Sequence, residues 1–394
     1  MEKLRVGVVG VGSVVREIYQ YLYFRSDFTP ILDIVAVADP NDQFREWFCD
    51  TFNIPQKRRY RDYKEMFAQN ELDAAQINTP DHIHAAPTIA ALKAGLDVVV
   101  PKPTAATVKD THAMIQAARE TGRLLGIDFH KREDPRFKEA EARYQSGRYG
   151  RFQAGIWYML DKLMVADPNH APRFFASPDF AEHNTPISFL TVHMCDALIK
   201  VVDLKPVEVR ATGFSHKLPS LSPIPVKGFD MVDTEIVFDN GAVAHIFTGW
   251  HLPNTAHATT VQSSRMICSD GMFDIGLDTP GLHEIHPDGI FEVNPLFKNF
   301  EKDGLVTGYG ISSPGRLYQK FLAGRNGKLA PEVRDQMMTA TALGFYTSLV
   351  LEGAEESLRK GKDIADGVTR GITVDLKALL ARELGQGALA EYGY

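Results

Sequence analysis

The chain has 394 residues, 44% hydrophobic, 24% charged and 10% aromatic, which is too apolar for a disordered chain and holds no apolar run near the roughly 20 residues of a membrane span. A formal net charge of -7 argues against a nucleic-acid binder, because phosphate contacts need a surplus of Lys and Arg on one face. The length predicts two domains, and three widely spaced cysteines, Cys49, Cys195 and Cys268, argue against a disulfide framework and point to a reducing, cytoplasmic compartment.

The first residues run straight into a strand pattern, so no secretion signal is expected. Short apolar runs at 4–10, 34–39, 73–79, 96–100 and 124–129 alternate with helix-like stretches at 17–24, 43–52, 84–94 and 108–121. That alternation predicts β-α-β units around a parallel sheet covered on both faces. Gly95 and Gly122 stand where the last two helices need a left-handed residue, and Thr107 is placed to cap the last one.

Beyond about Lys131 the pattern changes to strands at 152–160, 207–214, 234–238 and 242–250, with turn signals at Asp239-Asn240-Gly241, Ser269-Asp270-Gly271 and Pro287-Asp288-Gly289. An antiparallel sheet of about six strands is expected, with helices at 189–202 and 331–360. Residues 294–326, rich in Gly, Lys and Ser, show no clear period and read as a surface loop or capping segment.

Gly10-Val11-Gly12-Ser13-Val14-Val15 lies between the first strand and the first helix, where glycines let the backbone approach a pyrophosphate and a helix N-terminus offers N–H groups. A purely structural turn is the alternative, and Val15 departs from the usual small third residue. The second strand ends in Asp39, placed to accept from an adenosine ribose and to repel a 2'-phosphate, which favours NAD over NADP. Asn78-Thr79-Pro80 and Pro101-Lys102-Pro103 close the third and fourth runs at the same edge of the sheet, where ligands of open parallel sheets bind.

Gly10-x-Gly12, Ala38-Asp39-Pro40, Asn78-Thr79-Pro80-x-x-x-His84, Ala91-Leu92-Lys93-Ala94-Gly95 leading into Lys102-Pro103, and Arg132 with Asp134-Pro135-Arg136-Phe137 together resemble the Gfo/Idh/MocA family (glucose-fructose oxidoreductase, inositol dehydrogenase, rhizopine catabolism) over about the first 150 residues. The resemblance implies an N-terminal Rossmann domain that binds NAD(P), at residues 1–130. It also implies a C-terminal α+β domain with a large, mostly antiparallel open sheet for substrate binding and oligomerisation, at 131–394. The implied activity is NAD(P)-dependent oxidation or reduction of a sugar, cyclitol or related polyol, in a homodimer or homotetramer. Gly10, Gly12, Ser13, Val14, Asp39, Asn78, Thr79, Pro80, His84 and Lys102 would then hold the cofactor. Two positions depart from the family: Pro101 stands where it carries Glu, and Phe189 where it carries an Asp one turn before a catalytic His.

In this reading His193 is the base that removes a carbinol proton while the hydride leaves for nicotinamide, and Lys102 is the cation that steadies the developing alkoxide. The two roles exchange if burial depresses the lysine pKa. His130, Arg132, Asp196 and Trp157 are candidate substrate contacts, with Arg132 alternatively paired to Asp134 and Trp157 alternatively plain sheet packing. His82 and His84 find no third ligand, so no metal is expected. Two other functions remain open: glycoside cleavage through transient oxidation and elimination, and an NAD-binding sensor without turnover.

Overall fold

The structure, a computed structural model, describes residues 3–68, 71–175, 180–256, 258–277, 282–286, 289–293 and 296–394. It divides into two compact units, Met1–Glu133 with Leu296–Phe345, and Asp134–Pro295 with Tyr346–Tyr394. The first division lies three residues from the expected boundary at 130. The return of 296–345 to the first unit was not expected.

In the first unit, strands β1 (Leu4–Val9), β2 (Leu32–Ala38), β3 (Arg59–Tyr60), β4 (Ala74–Ile77), β5 (Asp97–Pro101) and β6 (Leu125–Asp128) form one sheet of order β3-β2-β1-β4-β5-β6, and all its pairings are parallel. The order reverses between β1 and β4, so the tips of these strands flank the crevice that such sheets offer to ligands. The connecting helices are α1 (Gln20–Phe24), α2 (Asp42–Thr51), α3 (Tyr63–Phe67), α4 (Ala85–Lys93) and α5 (Val108–Thr121). Thr107 caps α5 by accepting from Asp110 N–H, and Gly95 and Gly122 take positive φ as expected. A π-helical turn, Val15–Tyr19, precedes α1. This wider turn accommodates Val15, wholly buried where a small residue would let helix and strand approach closely.

Leu296–Phe345 corrects the reading of 294–326 as a surface loop. Asn299–Phe300 (β15) pairs with Val306–Thr307 (β16), and Tyr309–Arg325 forms a 17-residue helix, α9, followed by α10 (Pro331–Met337). Its Ile311, Tyr318, Phe321 and Leu322 share one core with Leu4, Val6, Val8 and Leu22. Glycine hid this helix from its apolar period. A Cβ on Gly315 would lie 2.3 Å from the Phe28 ring, and one on Gly310 2.4 Å from Phe297, so these glycines mark close packing rather than chain freedom. The expected helix over 331–360 is likewise two helices, because Gly344 stands between them at φ +69 and a Cβ there would meet Phe129 and Thr104 at 2.7 Å.

A buried polar layer joins this segment to the sheet. Tyr19 and Ser313 donate to the two carboxylate oxygens of Asp128, at 2.7 and 2.5 Å. Tyr23 and Tyr318 both donate to Gln76 Oε1, at 2.5 and 2.7 Å. Gln76 and Asp128 are wholly buried, and such groups persist in a core only when their hydrogen bonds are made.

The second unit carries α6 (Pro135–Gln145), α7 (Phe180–His183), α8 (Val192–Val202), α11 (Phe345–Arg359), α12 (Leu376–Leu384) and α13 (Gly387–Glu391). Its main strands are β7 (Phe152–Lys162), β8 (Pro206–Phe214), β9 (Met231–Phe238), β10 (Val243–Leu252), β11 (Thr260–Cys268) and β12 (Gly271–Gly276), with β17 (Lys362–Ala365), β18 (Val368–Arg370) and β19 (Val374–Asp375) added late. They form a nine-stranded sheet, order β12-β11-β7-β10-β9-β8-β18-β17, with β19 also on β8. Among the described residues of this sheet, only β7 and β10 pair in parallel. The Asp239-Asn240-Gly241 and Ser269-Asp270-Gly271 hairpins form as predicted. Leu282–His286 (β13) pairs with Gly289–Val293 (β14), while Pro287 and Asp288 lie outside the described residues.

Glu356 on α11 is buried among Arg382 at 2.5 Å and Lys360 at 2.7 Å. Hydrogen bonding to Arg382, offset in part by burial, brings its carboxyl down from about 4.5 to about 2. A depressed folded-state value contributes stability that is full above the ordinary value and lost as pH falls toward the folded one. Denaturant titrations from pH 6 to pH 2.5 should therefore show a loss of stability below about pH 4.5 that is smaller in Glu356→Gln.

Candidate functional site

Gly10 leaves β1 at φ +81, and a Cβ there would lie 2.9 Å from the Asn78 carbonyl oxygen, so the turn requires glycine. The next peptide is held from both sides. Its carbonyl, on Gly10, accepts from Asn78 Nδ2 at 3.2 Å, and its N–H, on Val11, donates to Asp39 Oδ2 at 2.8 Å. Asp39 Oδ1 accepts from Asn41 N–H at 2.7 Å, and the Asp39 carbonyl accepts from Arg45 at 2.8 Å. The Asp39 carboxylate is thus buried and fixed, with a second lone pair on each oxygen still available to a ribose. A Cβ on Gly12 would meet nothing within 4 Å. That space lies before the opening helical turn of Ser13 and Val14, whose first N–H groups have no partner within the helix. A backbone cradle of free N–H groups with an acidic side chain beside it is the chemistry a dinucleotide takes up.

The remaining strand tips are less uniform. Asn78 is engaged by protein, accepting from Gln76 Nε2 at 3.1 Å while it donates to Gly10. Thr79 Oγ1 donates to Ile83 O at 3.4 Å, and Pro80 is exposed. Lys102 is partly buried just past β5. His84, expected to hold cofactor, is wholly buried, with Nε2 2.8 Å from Thr79 O and Nδ1 3.0 Å from Pro103 O. It clamps the loops after β4 and β5 together, so its part in the site is indirect.

Arg132 is engaged by the chain at 341–342. Its guanidinium donates to Ala342 O at 2.7 Å and Thr341 O at 2.6 Å and lies over the Phe129 ring, holding the turn before Gly344, while Asp134 pairs with Arg136 at 2.6 Å. His130 packs edge-on against Phe297, with Nδ1 3.7 Å from Asp128. Gln76 and Asp128, which the sequence reading passed over, form a buried polar layer, and of the two Gln76 reaches the strand tips through Asn78. The available signal was a lone polar residue in each apolar strand, Ala74-Ala75-Gln76-Ile77 and Leu125-Gly126-Ile127-Asp128.

In the second unit, α8 carries His193 and Asp196, both largely buried, and Asp196 Oδ1 lies 3.3 Å from the Thr347 hydroxyl that donates to it. Phe189 precedes them on a π-helical turn, Ile187–Thr191, and packs its ring against Phe175, Phe180 and Trp250 at centroid distances of 5.5, 5.1 and 6.1 Å. Nearby, Thr185 donates to Glu355, whose carboxyl is pushed up by burial. Trp157 is wholly buried and stacks on Phe137 at 5.8 Å, so it belongs to the core and offers no face to a substrate. Among the described residues no group of three His, Cys, Asp or Glu is placed to hold a metal.

Residues 4–129 match the Gfo/Idh/MocA model, an oxidoreductase family with an NAD-binding Rossmann fold. The chain is 34% identical over 153 residues to 1,5-anhydro-D-fructose reductase of Ensifer adhaerens, covering 39% of this chain and 44% of that protein. It is 27% identical over 148 residues to inositol 2-dehydrogenase of Salmonella typhimurium, covering 37% and 43%. The matches therefore span less than half the length of either relative. Scyllo-inositol dehydrogenase from Lactobacillus casei, solved with NAD(H) and scyllo-inositol, has the same fold, with a TM-score of 0.70 at 15% identity over 94% of this chain and 99% of that one. Residues 4–129, which contain the glycine turn and Asp39, are thus similar to the NAD-binding Rossmann domain of the Gfo/Idh/MocA oxidoreductases.

Proposed function

We propose that the protein is an NAD(P)-dependent oxidoreductase, with NAD preferred, that transfers a hydride between nicotinamide and a secondary alcohol of a sugar, cyclitol or sugar derivative. The observation that carries this reading is the glycine turn: a peptide fixed by Asn78 and Asp39 beside open space at Gly12. The names of the relatives, a sugar-derivative reductase and a cyclitol dehydrogenase, support net oxidation or reduction over transient oxidation with glycoside cleavage, and over a sensor without turnover.

Bound nicotinamide supplies the hydride acceptor or donor. The chain supplies the rest. The first unit holds the cofactor through Gly10, Gly12, Ser13, Val14, Asp39, Asn78, Thr79 and Pro80, and Lys102 supplies positive charge for a developing alkoxide. The second unit binds the substrate, with His193 moving the carbinol proton and Asp196 and Thr347 holding the helix beneath it.

The second unit also serves assembly in this reading. Ile156, Ile267 and Met272 are 49%, 40% and 51% exposed, and the register places them on one face of adjoining strands, Ile267 opposite both Ala154 and Met272. We assign that face to a second copy in a homodimer or homotetramer. No described helix is long and apolar enough to cross a membrane, and three buried free thiols support a cytoplasmic setting.

Gly12→Ala should leave the thermal midpoint within about 1 °C of wild type, since its methyl meets no protein atom, while weakening NADH binding at least tenfold by titration. Unchanged binding would remove the cradle from the function. Lys102→Ala should keep NADH binding while turnover on a polyol panel, followed by NADH formation, falls roughly 100-fold. Light scattering of Ile156→Asp should show a smaller assembly than wild type.

A further inference from the structure

We propose that Tyr318, on the helix α9 that returns to the first unit, is a positioning residue for the dinucleotide site, acting through Gln76 and Asn78, so that docking of α9 and binding of the cofactor stabilise each other. The inference rests on the NAD reading above and adds to it a residue 242 positions away from the glutamine it acts on.

A continuous line of hydrogen bonds connects the two places. Tyr318 O–H donates to Gln76 Oε1 at 2.7 Å, Gln76 Nε2 donates to Asn78 Oδ1 at 3.1 Å, and Asn78 Nδ2 donates to the Gly10 carbonyl at 3.2 Å. Its direction is dictated from the far end. A carbonyl only accepts, so Asn78 must turn its amide nitrogen to Gly10 and its oxygen to Gln76. Gln76 must then turn its nitrogen to Asn78, which leaves its oxygen facing the interior and in need of donors. Tyr23 and Tyr318 are those donors. Burial pushes the Tyr318 phenol well above its usual range, so it stays protonated.

Tyr318, Gln76 and Asn78 are buried, with Gly10 half-buried at the end of the line, and in the buried part water cannot replace a missing partner and hydrogen bonds in series reinforce one another. If Gln76 only needed satisfying, the hydroxyl of Tyr23 on the neighbouring helix would be enough. The second donor brings α9 into the same line, and its last link is one of the two bonds that fix the Gly10–Val11 peptide. Coupling between two events is reciprocal, so a cofactor seated on that peptide stabilises the docked helix as much as the helix favours the cofactor.

Ser313 provides the comparison. It lies on the same helix but donates to Asp128 and not to Gln76. In the full-length protein, Tyr318→Phe should raise the Kd for NADH about threefold to tenfold, the scale of one lost buried hydrogen bond, and Gln76→Leu should raise it further. Ser313→Ala should leave it unchanged. NADH should slow amide hydrogen exchange across α9 in the wild type and have no such effect in Gln76→Leu. Wild-type affinity in both Tyr318→Phe and Gln76→Leu, or an equal loss in Ser313→Ala, would overturn the inference. A wild-type protein that binds no NADH would instead overturn the cofactor reading beneath it.

Discussion

The first unit depends on one peptide group, between Gly10 and Val11. The carbonyl side of that peptide is held by an amide from the tip of β4, and the N–H side by a carboxylate from the tip of β2. These two strands flank β1, so the constraint ties together the three tips that border the crevice. It also sets the direction in which the following helix begins. A residue with a Cβ at Gly10 would collide with the Asn78 backbone, which makes the arrangement intolerant of substitution at its centre. Asp39 accordingly organises the turn with one oxygen and the start of α2 with the other.

The parallel half of the fold was legible because its signals are local. Buried strands appear as mostly apolar runs, and helix ends carry Thr107, Gly95 and Gly122 at positions where capping and positive φ demand them. The returning segment was illegible for the same reason. Its glycines serve contacts with Phe28 and Phe297, and nothing in a sequence separates a glycine required by a distant ring from one that loosens a loop. Among the candidate residues, Gly10 and Asp39 were expected to sit at strand tips beside one turn, and they do so because β1 and β2 are neighbours. The surroundings of Arg132 and Trp157 were not legible, because their partners, the carbonyls at 341–342 and the ring of Phe137, are set by tertiary packing.

The two departures from the family pattern can be compared with their surroundings in part. Phe189 is not a substituted polar contact in an otherwise polar place: three further aromatic rings meet it, and the cluster packs beside Leu190 and Leu218. The segment leading to His193 is therefore held by aromatic packing where a carboxylate would have held it by hydrogen bonding, which replaces a directional restraint with a steric one. Nothing in the structure explains Pro101 in place of Glu.

The core of the first unit is assembled from segments that lie some 160 residues apart in the chain, with the second unit between them. During synthesis the parallel sheet emerges long before the helix that completes it. Until then the apolar surface opposite Phe321 and Leu322 stays uncovered, and Gln76 and Asp128 each lack a hydroxyl donor. The nascent sheet must wait, incompletely covered, for the other unit to leave the ribosome. A gene fragment ending at the first boundary would therefore encode the right strands with an open flank, prone to association with other chains.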